Sequence, residues 1–297
     1  MTNRILDLAS DPARLSVSNG LLLIERKDMP EFTVPFEDVA VLIGAHRQLT
    51  FTQAVFARLA ETGGVFVACD TKSLPVAMML PIEGHHLQAE RFAAQIDTAV
   101  PTRKRLWQAV VRAKICAQAQ ALETLLGTDR GLRVLADQVR SGDTANMEGQ
   151  AARRYWTALF ADDPKFIRDR DLMGRNALLN YGYAMLRAVT ARAVCGAGLH
   201  PSLGLHHHNR YNAYALADDL MEPFRPMIDQ AVARHTVPPN QFAELDKDTK
   251  RILFNALLEP VRFEQERRSL FDTLARVAAS LAQVYQGQRR EMLLPEF

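Results

Sequence analysis

The stretch ARLSVSNGLLLIERKDMPEFTVPFEDVAVLIG, residues 13–44, decides the fold class of the N-terminal part of the chain. It contains the short runs LSVS, LLLIER, FTVPF and VAVLIG, each with the length and the β-branched or aromatic content typical of a strand. Asn19 and Gly20 separate the first two runs, and Asn-Gly is a strong short-range signal for a β-hairpin. We therefore predict a hairpin at these residues and a sheet of short strands.

The segments that follow extend the same domain. FTQAVFARLAETGG, residues 51–64, predicts one amphipathic helix that ends at its glycine pair. VFVACD and LPVAMMLP, which come next, suit two further strands. We therefore expect a small sheet-rich N-terminal domain over residues 1–82.

From His85 onward the strand signals nearly disappear and helical periodicity replaces them. HHLQAERFAAQIDTA predicts a helix that ends before Pro101, and residues 83–100 are expected to form a helical hinge. TRKRLWQAVVRAKICAQAQALETLLG predicts a long helix with Thr102 as its N-cap and Gly127 as its stop.

The rest of the chain shows further helical segments, one of which is interrupted at Pro223. The fold class predicted is α+β: a small sheet-rich N-terminal domain followed, after the hinge, by a larger all-helical catalytic domain over residues 101–297. The C-terminal segment EMLLPEF is expected to be loosely held.

The composition is that of an ordinary globular protein, with 297 residues, 48% hydrophobic residues and a net charge of +2. This charge excludes a histone-like protein, so any contact with nucleic acid must come from local basic clusters. Cys69, Cys116 and Cys195 lie far apart, which argues against a structural zinc site and a disulfide framework. Because no apolar run reaches the length of a membrane span, we expect a cytoplasmic protein without membrane contact.

One candidate catalytic group lies in NMEGQAARRYW. Glu148 shares a helical stripe with Ala152 and Tyr155, which suggests that it points inward. A buried glutamate is costly unless its charge is compensated. The residues alone allow two interpretations, a functional site or a glutamate near a helix start that pairs with Arg153 or Arg154.

A second candidate site lies in LGLHHHNRYNAYALADDLMEPFRP, residues 203–226. Asp219 and Glu222 are three residues apart, so they share one helix face and repel each other. A divalent cation would remove this repulsion, and a histidine from the preceding loop would add a nitrogen ligand that manganese tolerates. The alternative is a solvated histidine-rich turn followed by acids that pair with Arg210 and Arg225, and the residues alone leave it open.

Three features taken together resemble the CRISPR-associated integrase family, the adaptation subunit that inserts new spacers. They are NMEGQAARRYW, GLHPSLGLHHHNRYNAYALADDLMEPFRP, and a β-rich domain that precedes a helical one. The resemblance covers nearly the whole chain, and NRYNAYALADDLMEPFRP resembles type II members, especially the compact II-C kind. It implies a metal-dependent DNA endonuclease and integrase that joins spacer 3′-hydroxyl ends to the repeat array by transesterification.

The resemblance also implies a catalytic metal site and its ion. The residues implied are Glu148, His207 and Glu222, with Asp219 as an additional metal ligand beside them. His207 follows from its register in the turn, whereas the neighbouring His206 and His208 have no counterpart in the family pattern. The cofactor implied is Mg²⁺ or Mn²⁺, which can neutralise the charge that develops on a phosphodiester under attack.

The partners implied by the resemblance are DNA and protein. They are double-stranded DNA with single-stranded ends, CRISPR repeat and leader DNA, a second copy in a homodimer through the N-terminal domains, and a small ferredoxin-fold CRISPR-associated protein. Contacts with DNA would be mainly to phosphates. The candidate DNA-binding residues come from locally basic segments: Arg91, Arg103, Lys104, Arg105, Arg112, Arg153, Arg154, Arg175 and Arg187.

Two other functions stay open at this point. One is a non-catalytic DNA-binding scaffold, in which the acids cap helices and the basic helices bind DNA. The other is an unrelated helical metallo-phosphohydrolase, which would turn over nucleotides without DNA.

Overall fold

The computed structural model describes residues 3–71, 73–169, 172, 174–207, 209–235 and 245–297. The strands of the N-terminal part are β1 (Arg4–Leu8), β2 (Ala13–Ser18), β3 (Leu21–Glu25), β4 (Phe32–Pro35), β5 (Val39–Gly44), β6 (Leu49–Phe51), β7 (Val65–Cys69) and β8 (Pro75–Met79). They form an outer sheet in the order β4–β3–β2–β6 and an inner sheet in the order β1–β5–β7–β8. The predicted sheet-rich N-terminal part is confirmed.

The predicted hairpin joins β2 and β3 in the outer sheet. Ser18 pairs with Leu21 across a two-residue turn, and the turn residues Asn19 and Gly20 have φ values of 50° and 78°. A tight hairpin turn with positive φ at both positions favours Asn followed by Gly, which explains why this element is visible in the sequence.

Two strands of the N-terminal part, β1 and β6, were missed by the sequence analysis. β1 pairs in parallel with β5, and β6 pairs in parallel with β2. Because parallel partners are distant in sequence, no turn signal marks them. β6 has three residues, too few for a visible alternation.

The helices of the described residues follow the predicted order. They are α1 (Gln53–Glu61), α2 (Gln88–Asp97), α3 (Val100–Leu126), α4 (Leu132–Gln138), α5 (Met147–Leu159), α6 (Arg175–Gly196), α7 (Ala215–Met221), α8 (Arg225–Arg234), α9 (Lys247–Leu258) and α10 (Leu270–Tyr285). The predicted stop at Gly127 is confirmed, since this residue caps α3 with a φ of 71°. The predicted interruption at Pro223 is a 3-10 turn over Glu222–Phe224.

The start of α3 differs from the prediction. The helix begins at Val100 with Ala99 as its N-cap, so Thr102 lies inside the first turn. Pro101 is accepted there because the first N–H groups of a helix have no intrahelical partner to lose.

The C-terminal part is mainly helical but also contains a short hairpin, which corrects the expectation of an all-helical domain. Its strands are β9 (Val261–Phe263) and β10 (Glu266–Arg268). Its turn residues, Glu264 and Gln265, have φ values of 50° and 66°. The sequence hides this hairpin because neither turn residue is a glycine or asparagine.

The C-terminal segment is packed against the protein, contrary to the expectation that it is loosely held. Met292 is buried, and the backbone N–H of Leu293 donates to Ser280 Oγ at 2.9 Å. The backbone N–H of Glu296 donates to the carbonyl of Arg262 at 3.0 Å. The segment therefore closes one side of the helical core.

The inner sheet lies between two cores and is most deeply buried at its central strand, β5. One face packs against the outer sheet and α1 in a core that includes Leu15, Leu22 and Leu42. The other face contributes Val41 and Val65 to the larger core of the helices. Every residue of β5 except its last is buried, as expected for a parallel strand between two layers.

The domain limits after residues 82 and 100 stay predictions, although they lie between the end of β8 and the first turn of α3. Within the described part of the chain, no helix has the length and apolarity needed to span a bilayer.

Candidate metal centre

Glu148 lies in the first turn of α5, whose start is fixed by two side chains. Asp143 accepts hydrogen bonds from the backbone N–H groups of Met147 and Glu148, at 2.8 and 3.0 Å. Asn146 accepts one from the N–H of Gly149 at 3.1 Å. Because these residues cap the helix, the carboxylate of Glu148 remains available for other contacts.

Glu222 opens the 3-10 turn after α7, and its side chain is only 4% exposed. Its Oε1 atom pairs with the guanidinium of Arg225 at 3.0 Å. Its buried Oε2 atom lies 2.6 Å from Lys114 Nζ but receives no well-aligned hydrogen bond from the described residues. Burial alone would raise the pKa of Glu222, but the charges of Arg225 and Lys114 hold it below the usual value.

Lys114 joins the two glutamates. From the middle of α3, its Nζ atom lies 2.6 Å from Glu148 Oε1 and 2.6 Å from Glu222 Oε2. Burial would lower the pKa of this lysine, but the carboxylates of Glu222 and Glu148 raise it above the usual value. Two acids from separate elements therefore face one buried positive charge.

His207 is held in place by Asp219, a fully buried residue of α7. Asp219 Oδ1 contacts His207 Nδ1 at 2.5 Å, and Oδ2 accepts the backbone N–H groups of Leu205 and His206 at 2.6 and 3.0 Å. The hydrogen bond that His207 donates to Asp219 raises the pKa of His207, while burial opposes it. With Nδ1 engaged, Nε2 is the ring nitrogen that can bind a ligand.

The loop that carries His207 is tightly packed. A Cβ atom at Gly204 would lie 2.6 Å from the carbonyl oxygen of His207 and 2.9 Å from Asp219 Oδ2, so the loop requires glycine there. The ring of His206 stacks on Trp107 of α3 with a centroid distance of 4.4 Å and an interplanar angle of 3°. His206 therefore packs on Trp107, whereas His207 is held by Asp219. His208 lies outside the described residues.

The donor chemistry of this cluster fits a divalent cation. Two carboxylates and an imidazole suit Mg²⁺ or Mn²⁺, and the poorly bonded Oε2 atom of Glu222 would gain a partner. Among the described residues, no three His, Cys, Asp or Glu side chains already lie at metal-binding distances from one another. Glu148, His207 and Glu222 are the residues that would hold the ion, and their metal role stays a prediction. Both Asp219 oxygens already accept protein donors, which favours an orienting role for this acid.

The sequence analysis missed Lys114. Its signal is positional, because it lies on the stripe of α3 that also carries the buried residues Trp107, Val110 and Gln118. A lysine on such a stripe requires a buried acid, since an unpaired buried ammonium is costly.

A buried polar cluster continues from Arg225. Tyr155 O–H donates to Asp229 Oδ2 at 3.0 Å, and Tyr183 O–H donates to Oδ1. The guanidinium of Arg225 lies 4.7 Å from the centre of the Tyr183 ring. Burial raises the pKa of Asp229 to about 7, although both tyrosine hydroxyls oppose the shift. This cluster fixes the arginine that pairs with Glu222.

Most predicted DNA-binding residues on α3 and α5 are accessible. The exposed ones are Lys104, Arg105, Arg112, Arg153 and Arg154. Arg103 lines a cleft of about 240 Å³ together with Lys104, Trp107 and His206. Arg112 pairs at the surface with Asp137, at 3.3 Å.

The other predicted DNA-binding residues are engaged within the protein. Arg91 donates to a carbonyl after α6 at 2.8 Å, and the buried Arg175 is bound by Asp162. Arg187 pairs with the buried Asp218 at 2.6 Å. These contacts stabilise the fold, which makes the three arginines weaker candidates, and DNA binding by all nine residues stays a prediction.

Comparison with known proteins identifies the family of this chain from its sequence. The family described as CRISPR associated protein Cas1 matches residues 6–256. The CRISPR-associated endonuclease Cas1 of Neisseria meningitidis serogroup C (strain 8013) is 37% identical over 300 residues, which cover 100% of this chain and 97% of the relative.

Two solved structures share the fold. A casposase bound to integration product has a TM-score of 0.79 at 20% identity, over 97% of this chain and 92% of that one. A chain of a Cas6-RT-Cas1–Cas2 complex has a TM-score of 0.74 at 19% identity, over 100% of this chain and 36% of that one.

Proposed function

Because the chain belongs to the family of CRISPR-associated protein Cas1, we propose that it is a metal-dependent DNA endonuclease and integrase of CRISPR adaptation. In the proposed reaction the 3′-hydroxyl of spacer DNA attacks a phosphodiester of the repeat array. One phosphodiester forms as another breaks, and the displaced 3′-oxygen leaves as a hydroxyl. The full-length similarity to the Neisseria meningitidis relative supports a type II-C member.

The observation that carries this proposal is the convergence of Glu148 and Glu222 on one buried cation, next to a histidine fixed by Asp219. In the alternative of a non-catalytic scaffold, the acids would cap helices. The start of α5 is instead capped by Asp143 and Asn146, so Glu148 is not needed there. A half-buried acid beside a buried one is costly to keep, which supports a site built for positive charge.

The protein groups have separable roles in this proposal. Mg²⁺ or Mn²⁺ bound by Glu148, His207 and Glu222 would stabilise negative charge on the phosphate and lower the pKa of the attacking hydroxyl. Asp219 engages Nδ1 of the His207 ring, so Nε2 is the nitrogen that would bind the ion. Arg225 fixes the carboxylate of Glu222. A set of three protein ligands leaves coordination positions for substrate oxygens.

The proposed partners are DNA with single-stranded ends, repeat and leader DNA, and the small CRISPR-associated protein. The fold shared with a casposase on its integration product and with a Cas1–Cas2 assembly supports this proposal. The exposed basic residues of α3 and α5 would bind phosphates, so affinity should fall steeply with salt. The homodimer through the N-terminal domains and the ferredoxin fold of the partner are proposed on the family resemblance.

The test is a disintegration assay on branched DNA with Mg²⁺ or Mn²⁺, repeated in EDTA. We expect Glu148→Ala and His207→Ala to abolish strand transfer while duplex affinity stays within about twofold, because phosphate contacts carry that affinity. Glu123→Ala is the matched control, since this exposed glutamate pairs with Arg133 on the protein surface.

Strand transfer at the parental rate by either site variant would contradict the proposal. Activity that is indifferent to EDTA would do the same. Nucleotide turnover without DNA would instead support the metallo-phosphohydrolase.

A further inference from the structure

We propose that Lys114 is a built-in counter-cation, which holds Glu148 and Glu222 together in the metal-free protein and is displaced when the divalent ion binds. The inference rests on the proposed function, because it concerns the same site. It assigns to Lys114 a positioning role that controls metal affinity.

The first support is geometric. The ammonium of Lys114 lies 2.6 Å from an oxygen of each glutamate, so the two oxygens are no farther apart than twice that distance. Glu148 comes from α5 and Glu222 from the turn after α7, and Lys114 reaches both from α3. The Lys114 side chain thus connects α3, α5 and the turn after α7 at the point where the ion would bind.

The second support is electrostatic. The Lys114 side chain is 14% exposed, so its attraction to the two acids is weakly screened by water. Without this ammonium, the salt bridge that would remain to the pair among the described residues is that of Arg225, which contacts the other oxygen of Glu222 and packs over Tyr183. Arg225 does not reach Glu148 in the structure, so it cannot replace the bridge.

The third support is that the ammonium and a divalent ion exclude each other. Mg²⁺ binds carboxylate oxygens at about 2.1 Å, closer than the ammonium does, so it would need the space that the ammonium fills. Two positive charges at that separation repel strongly inside a protein. The four-carbon stem of lysine allows the ammonium to withdraw while α3 stays in place. Metal affinity is therefore lowered by the competition with Lys114.

The experiment measures Mn²⁺ affinity by isothermal titration calorimetry and the unfolding temperature in EDTA and in saturating Mn²⁺. The test variant is Lys114→Met, which removes the charge and keeps an unbranched side chain one heavy atom shorter. The matched control is Lys250→Met, because the Lys250 side chain is also largely buried, 3% exposed against 14% for Lys114, but pairs with Asp7 of β1, at 3.4 Å. All proteins are full-length chains.

We expect Lys114→Met to bind Mn²⁺ at least about tenfold more tightly, because the ammonium no longer competes. Its unfolding temperature should fall in EDTA, where the acids repel, and should recover in saturating Mn²⁺. Lys250→Met should have the parental Kd and should lose the same stability in both conditions. A merely structural role for Lys114 would lower stability without tightening the Kd.

An unchanged or weaker Mn²⁺ affinity in Lys114→Met, with normal binding by the parent, overturns the inference and leaves the proposed function intact. If the parent itself binds no Mn²⁺, the proposed function fails and this inference fails with it. If the methionine variant does not fold, Lys114→Gln carries the same expected Kd change, since it removes the charge but keeps a polar group.

Discussion

Glu222 and Asp229 are seven residues apart and both buried, yet their surroundings favour opposite charge states. Glu222 faces Arg225 and Lys114, whose charges hold its pKa below the usual value against the effect of burial. Asp229 faces two tyrosine hydroxyls, and burial raises its pKa to about 7. Burial is common to both residues, so the nature of the partners decides the charge.

The difference in charge state distinguishes Glu222, a proposed metal ligand, from Asp229, which supports the site from outside it. An ionised carboxylate held between cations can exchange one cation for another, as the proposed metal site requires. A carboxyl with a raised pKa between two phenols can exchange hydrogen bonds but offers less charge to a metal than an ionised carboxylate. Arg225 connects the two positions, since it pairs with Glu222 and packs over Tyr183.

The largest expected effect comes from Glu222→Gln, which removes the charge on the reactive side. Strand transfer in single-turnover assays should fall by more than about 10³-fold, the upper range for losing one electrostatic contact in an active site. Asp229→Asn should keep strand transfer within about tenfold, since its effect is indirect. An equal loss of activity in Asp229→Asn and Glu222→Gln would contradict the different roles given to the two acids.

The second effect is on the free energy of unfolding, to which Asp229 should contribute in a pH-dependent way. Because the pKa of Asp229 is about 7 in the folded protein against an ordinary 3.8, the folded state holds the proton more tightly. Its contribution to stability is complete below pH 3.8 and is lost as the pH rises to about 7. The loss is a few kcal/mol at about 1.4 kcal/mol per pH unit.

The measurement is urea unfolding from pH 4 to 8. The difference in unfolding free energy between the parent and Asp229→Asn should shrink or reverse as the pH rises. A difference that is constant with pH would show that Asp229 keeps an ordinary pKa.

A smaller effect is expected from Asp219→Asn, which weakens the hold on His207. Mn²⁺ affinity should fall by about 10–100-fold, the usual cost of losing a residue that orients a metal ligand. Calorimetric titration of Mn²⁺ measures this, with Asp137→Asn as the control because Asp137 is an exposed partner of Arg112. An unchanged Mn²⁺ Kd would mean that His207 is either not a ligand or not oriented by Asp219.

The smallest effect is expected from His206→Ala, which removes the stack on Trp107. The unfolding free energy should fall by about 1 kcal/mol, the value of a stacked aromatic pair. Thermal unfolding measures this change, and Mn²⁺ affinity should be nearly unaffected. If metal affinity fell as much as in Asp219→Asn, His206 would belong to the metal site.

Local signals made part of this structure predictable. Asn19-Gly20 specified a turn, Gly127 specified a helix end, and Pro223 interrupted a helix because each acts on its own backbone. β1 and β6 were missed because their partners are distant in sequence. The β9–β10 hairpin was missed because its turn carries residues, Glu264 and Gln265, that rarely adopt positive φ.

In the site too, some residues could be predicted from local sequence and others depend on distant contacts. Glu148, Asp219 and Glu222 stand out as acids on apolar helices, which is a property of each segment alone, and the family resemblance implies their place in the metal site. The bridge by Lys114 depends on how α3 packs against α5 and α7, and no local pattern encodes that packing. The role of His206 likewise depends on Trp107, which lies on another element.

The most direct measurement is an anomalous difference map from a crystal of the full-length protein soaked in Mn²⁺. We expect one strong peak between the Glu148 and Glu222 carboxylates, within ligand distance of His207 Nε2, with the ammonium of Lys114 moved away from both acids. A peak elsewhere, or no peak while Lys114 still bridges the two glutamates, would contradict a metal centre at this site.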